Sequence, residues 1–163
     1  MKMRRFIALL IISVLACTAL VSCGKTDIDT GVMSVTAPSG WGVCKRTIDG
    51  SEKDDQIYVI KDGETQTDTM GCPNILVSYY KNASEYTETK SFFKDSADVS
   101  PIKAGDKTWE GYTYTDFGTP SACLMAKDGN ALFVCVIVLE KGDSKISLDD
   151  DDVKSVLESI KAN

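Results

Sequence analysis

The chain of 163 residues contains no histidine. That absence excludes Ser-His-Asp triads, Cys-His dyads and histidine-ligated zinc in one step. It carries no P-loop and no GxGxxG fingerprint, so neither glycine-rich route to a bound nucleotide is open. No two cysteines stand in CxxC spacing, which removes the chelating knuckle of a thiolate metal site and the usual redox motif. There is no Lys/Arg-rich block, and the formal net charge is −6. An acidic chain repels phosphate backbones, so nucleic acid is not an expected partner. No cofactor and no metal is expected from the residues present. The length suits one ordinary domain.

Long apolar runs are also scarce, and the longest stands at the start. Lys2, Arg4 and Arg5 precede Phe6 to Val21, which are almost all Ile, Leu, Ala, Val and small polar residues. The run is shorter than the ~20 residues that span a hydrocarbon core, so it reads as a signal peptide over residues 1–22. Removing it takes away three cations and no anion, leaving the rest more acidic. Leu20-Val21-Ser22-Cys23 resembles the lipobox of bacterial lipoproteins. The resemblance implies a diacylglyceryl thioether on Cys23 and cleavage just before it. Two acyl chains are enough for stable anchoring, where one is marginal. Cys17, behind Val14-Leu15-Ala16, is the rival site, but it sits inside the apolar run. The expected location is the bacterial cell membrane, lipid-anchored on the extracytoplasmic side.

Residues 23–31 are small and polar and read as a lipidated tether. Strand-like segments follow at 32–37, 41–47, 57–60 and 74–80, with loops at 48–56 and 61–73. Ser84 to Asp95 reads as a helix, with Ser84 as N-cap and Tyr86 and Phe93 on one face. Lys107 to Thr115 has high β propensity. Asp128-Gly129 between two apolar runs predicts a hairpin. The second run, 131–139, is apolar on both faces, which predicts a central strand covered above and below. Val153, Val156, Leu157 and Ile160 make the stripe of a C-terminal helix behind Asp149–Asp152. Hairpins with two helices suggest an α+β fold with an antiparallel sheet.

The stretches GVMSVTAPSGW (31–41), GDKTWEGYTYTDFG (105–118) and ISLDDDDVKSVLESIK (146–161) resemble small bacterial proteins of the PsbP-like superfamily, which also includes a Ran-binding import factor. The resemblance implies one domain over residues 32–163, an antiparallel sheet with helices packed on both faces as an α/β/α sandwich. It carries over no catalytic residue.

Cys44, Cys72, Cys123 and Cys135 remain beside the lipobox cysteine. In an exported chain an even number favours disulfides. A one-residue bulge in the Asp128-Gly129 hairpin would bring Cys123 opposite Cys135, leaving Cys44 for Cys72. Free buried thiols are the alternative. Asp149–Asp152 lacks the register of a calcium loop and reads as an acidic helix N-terminus. Trp41, Trp109, Tyr79, Tyr80, Tyr112 and Tyr114 are either core or a carbohydrate or peptide platform; Tyr112 and Tyr114 share one sheet face. Asn82-Ala83-Ser84 matches a glycosylation sequon, but Ser84 is better used as a cap. The expected function is a non-enzymatic binding or assembly module, anchored through Cys23, with an envelope protein or glycan as partner. The alternatives are a carboxylate-based envelope hydrolase or a thiol redox protein. In membrane fractionation, Cys23→Ala should move the chain out of the membrane fraction; mature, cleaved C23A that still sediments with membranes would refute the anchor.

Overall fold

The computed structural model describes residues 24–163. Cys23, Cys17 and the segment read as a signal peptide therefore lie outside the described residues. The chain forms β1 (Thr26–Asp29), β2 (Met33–Ala37), β3 (Trp41–Ile48), β4 (Ser51–Lys61), β5 (Asn74–Tyr80), β6 (Ala97–Ala104), β7 (Lys107–Asp116), β8 (Thr119–Asp128) and β9 (Ala131–Val138). Two short strands, β10 (Glu140–Lys141) and β11 (Ser144–Lys145), a helix α1 (Asp151–Ser159) and β12 (Lys161–Ala162) complete it. Strands β3 to β9 make one antiparallel seven-stranded sheet in the order β3-β4-β5-β9-β8-β7-β6.

Strand β9 is the middle strand of seven, and residues Ala131–Cys135 are buried without a break. The doubly apolar run is therefore the centre of the sheet, as its pattern predicts. One face of the sheet carries Ile57, Val59, Ile75, Val77, Leu124, Phe133, Cys135 and Ile137 into the main core. Helix α1 closes that face with Val153, Val156 and Leu157, joined by its C-cap Ile160, each fully buried. Burial of one such side chain is worth roughly 1.5–3 kcal/mol. Strand β2 adds Met33, Val35 and Ala37 to the same layer, held between β1 and β12 in a second, three-stranded sheet. The acidic run stands at the start of α1, but its side chains do not cap the helix N–H groups. Asp150 is the N-cap residue, and its carboxylate accepts a hydrogen bond from the Ser147 N–H at 2.7 Å.

The opposite face corrects the expected α/β/α sandwich. Among the described residues α1 is the single α-helix, and it lies on one face only. Residues 84–95 do not form a helix. They form single 3-10 turns at Ala83–Glu85 and Lys90–Phe92, joined by extended chain. The stretch contains Tyr86, Thr87 and Thr89, which lose side-chain freedom in a helix. The crossover instead lays Tyr86 and Phe93 separately on the sheet residues Tyr80 and Tyr114. The fold is sheet-dominated, one face capped by a helix and the other by irregular chain.

Three further differences have local causes. The polar segment 51–56 extends β4 beyond the core, because Asp49 (φ 50°) and Gly50 (φ 76°) make a two-residue hairpin turn with both φ values positive. The exposed ladder is tied by Lys45 Nζ to Asp54 at 2.7 Å and by Arg46 to Gln56 at 3.1 Å. The β8–β9 turn is Gly129-Asn130, one residue later than Asp128-Gly129, with Asp128 paired to Ala131 and positive φ at Gly129 alone. That is the pattern of a II′ turn, which takes Gly first. Thr26–Asp29, within the segment read as a tether, pairs with β2 instead.

Gly111 in β7 is required sterically. A Cβ added there would stand 1.9 Å from the backbone oxygen of Cys123. Gly71 has open space and no positive φ. Gly111→Ala should therefore cost about 1–3 kcal/mol or more, and Gly71→Ala less than about 0.5 kcal/mol. Urea unfolding of the two variants checks this; equal midpoints would refute the steric role of Gly111.

Candidate functional site

Connecting β5 to β6 requires the chain to cross β9, β8 and β7, because those strands lie between them. Residues 81–96 make this crossing as a strap over the face away from α1. At its start the Ala83 N–H donates to Asn130 O at 2.9 Å. Tyr86 then packs on Tyr80, with ring centroids 5.4 Å apart. The Thr89 hydroxyl meets the Tyr112 hydroxyl at 3.3 Å. Phe93 stacks on Tyr114 at 4.1 Å, and the Asp95 carboxylate accepts the Thr115 N–H at 3.3 Å. Lys90 pairs with Asp98 and lies over the Tyr112 ring. The strap is thus pinned by rings and single hydrogen bonds rather than by a helical ladder.

Beneath it Tyr112, Cys123, Leu132 and Val134 form a second, smaller core, bordered by Tyr80, Tyr86, Phe93, Tyr114 and Met125. Tyrosine suits this place because the ring is buried while the hydroxyl keeps a partner. The Tyr86 hydroxyl and the Cys123 thiol are 3.6 Å apart. Burial pushes the Tyr86 and Tyr112 hydroxyls up, and Tyr114 to about 12. Burial also raises the Cys123 thiol, opposed in part by hydrogen bonds from Tyr86 and Tyr112.

Where the strap leaves the sheet, near the β6–β7 and β8–β9 turns, a groove of about 610 Å³ opens. Its apolar lining is Ala83, Tyr86, Met125 and Leu132, and charges of both signs flank it: Glu88, Glu110, Lys107 and Lys127. Lys107, only 7% exposed, pairs with Asp106 at 2.9 Å and holds that carboxyl below the usual carboxylate range. A larger hollow of about 780 Å³ lies at the other end of the sheet, against Gly24, Trp41, Asp62, Glu64 and Asp68. Its Asp68 carboxylate is already occupied, accepting the N–H groups of Glu64 and Thr65 and the Thr65 hydroxyl, which lowers its pKa. Among the described residues no group of three or more acidic or sulfur side chains is placed to hold a metal.

The aromatic residues considered as one platform are divided between the faces. Trp41, Trp109 and Tyr79 belong to the α1 side, and Tyr80, Tyr112 and Tyr114 to the strap side. Tyr86 and Phe93, which the spacing places on a helix, join the latter; their ring-to-ring partners are set by the crossover and have no local sequence signal. The cysteines are also divided. Cys44, Cys72, Cys123 and Cys135 are all free thiols. With the turn at Gly129-Asn130, Cys123 pairs with Val136 and Cys135 with Leu124, so the two sulfurs project from opposite faces of the sheet. Cys44 lies within β3, pushed up by burial and then by Asp68 and Glu52, while Cys72 precedes β5.

No family model matches the chain, and no curated protein matches it. Among solved structures it is similar to a protein of Bacteroides thetaiotaomicron VPI-5482, with TM-score 0.50 and 17% identity over 86% of this chain and 48% of that one. The likeness is one of fold. This chain spans about half the length of that protein. It is also similar to the cyanobacterial PsbP protein CyanoP of Synechocystis sp. PCC 6803, with TM-score 0.45 and 12% identity over 90% of this chain and 97% of that one. A PsbP protein is thus among its structural neighbours.

The thiols make alkaline stability a test of this packing. In the folded chain Cys123 and Cys135 stay protonated above their ordinary 9.0, Cys135 because it is fully buried. Above pH 9.0 the unfolded chain loses protons that the folded chain keeps, so stability falls as pH rises. Denaturation midpoints should be flat near neutrality and decline beyond pH 9.0, and Cys135→Ala should flatten part of that slope. An unchanged slope in C135A would show that Cys135 is not held as described.

Proposed function

We propose that the chain is an extracytoplasmic bacterial lipoprotein, anchored through a diacylglyceryl group on Cys23, that acts as a non-enzymatic binding or assembly module. The groove between the strap and β7–β9 is its binding surface. The observation that carries this reading is the groove's make-up: an apolar floor of Met125, Leu132 and Tyr86 flanked by carboxylates and ammonium groups. Apolar floors with a few placed polar groups are the common form of ligand sites. Both signs of charge favour a segment of an envelope protein over a glycan, which would require more hydroxyl-matching polar groups.

The absence of histidine supports binding over acid–base chemistry. Burial raises three of the four thiols, which is unlike a reactive cysteine and weighs against a redox role. The PsbP-like resemblance falls on β2 with its following turn, on the β7 strand with its flanking turns, and on α1. It concerns the scaffold, and the groove residues belong to this chain.

A photo-crosslinking residue at exposed Thr108, on the groove wall, should capture a specific envelope protein in intact cells. Met125→Asp combined with Lys127→Glu should reduce that adduct by about tenfold or more, in line with the loss of a central interface anchor. The membrane fraction of the variant should be unchanged. An adduct of equal yield in the double variant would overturn the groove as the binding surface.

A further inference from the structure

The register assigns the point at which the described chain meets Cys23. Thr26 pairs with Ala37, Ala37 leads through Pro38–Gly40 into Trp41, and Trp41 pairs with Lys61. Gly24 therefore lies at the end of the sheet where β3 starts and β4 stops, and it lines the hollow there with Trp41 and Asp68. Because β1 begins at Thr26, only Gly24 and Lys25 separate it from Cys23. Two extended residues reach about 7 Å, a distance comparable with the ~5–7 Å headgroup layer of one leaflet. A tether of this length presses this end of the domain onto the membrane.

The rim at that end carries two of the three most exposed large apolar side chains among the described residues, the third being Phe92 on the strap. Lys61 Nζ donates to Lys145 O at 3.3 Å, and Leu139 N donates to Pro120 O at 2.9 Å, which ties the β10–β11 hairpin to β4 and to the start of β8. Gly142, at the tip of that hairpin, lies against the Gly71 oxygen. On the rim Met70 is 78% exposed, and Phe117, in the β7–β8 turn, is 103% exposed. Phe117 also has φ 46° followed by Gly118 at 78°, the I′ pattern that favours Asn or Asp before Gly. A bulky residue there is a genuine outlier. The other such turn, Asp49-Gly50 at the far end, carries the favoured residue.

We propose that this rim is a bilayer-contact surface: Phe117 and Met70 enter the interfacial layer of the membrane that holds the anchor. The proposal rests on the anchor reading above. It sets the domain upright, with the groove at the β6–β7 and β8–β9 turns facing away from the lipid. Lys25, Lys61, Lys141 and Lys145 at this end are outnumbered by Asp62, Glu64, Asp68, Asp116, Glu140 and Asp143, so contact depends on apolar insertion and not on anionic lipid.

The test uses the full chain, processed in cells, purified from membranes and reconstituted in phosphatidylcholine vesicles containing lipid brominated near the headgroup. Phe117→Trp and Met70→Trp should give blue-shifted, strongly quenched emission. Ser51→Trp, at the far end, should give neither. Trp41 and Trp109 are buried and form a constant background. Added phosphatidylglycerol should leave the quenching unchanged. Phe117→Asn should raise the unfolding midpoint, because the turn then carries a favoured residue. A lower midpoint would mean that Phe117 packs within the domain, and would overturn the proposal. Lipidated, vesicle-bound F117W whose introduced indole stays as exposed as that of S51W would overturn the rim contact and leave the anchor standing. Mature wild-type chain recovered from cells with no lipid on Cys23 and no affinity for the vesicles would overturn both.

Discussion

The burial of β9 on both faces is the constraint on which the structure depends. Its residues Ala131–Cys135 have no solvent-facing side, so two layers must be built over the sheet. On one side the layer is regular, with Val153, Val156 and Leu157 of α1 and its C-cap Ile160 in one core with Phe133, Cys135 and Ile137. On the other side Leu132 and Val134 are covered by a strap with no helical ladder, and tyrosine hydroxyls supply the polar partners that irregular chain needs.

This asymmetry places the groove. A helix packed by interdigitating aliphatic side chains leaves little room for a ligand. A strap held by separate ring contacts diverges from the sheet, and the groove opens where it does. The same arrangement explains the thiols. Each cysteine of the β8–β9 pair serves a different layer, Cys135 as a small apolar residue in the main core and Cys123 as a neighbour of Tyr86 and Tyr112. Neither layer needs a covalent staple, since the sheet buries a full core of its own.

Much of the scaffold can be read along the chain. The period-two strands, the doubly apolar 131–139 run and the stripe of α1 each follow from local pattern, and each is present. The departures have separate causes. Ring spacing along residues 84–95 predicts a helix, yet the crossover fixes which sheet tyrosine each ring meets. The outer half of β4 reads as a loop because its ladder is solvated. The β8–β9 hairpin closes as a plain two-residue turn without the expected bulge, so Cys123 stands opposite Val136 and on the other face from Cys135. Of the groove, Tyr86 is legible in the sequence only as a helix residue; Glu88, Glu110, Lys107 and Lys127 come together from separate segments of the chain.

The sequence by itself determined most strands of the main sheet, which of them is central and the stripe of the C-terminal helix, because each is written in neighbouring residues. The tertiary structure alone decided what covers the second face, where the groove lies and how close the domain sits to Cys23. Those outcomes depend on strand order and register, which bring distant residues together through contacts that no local pattern records.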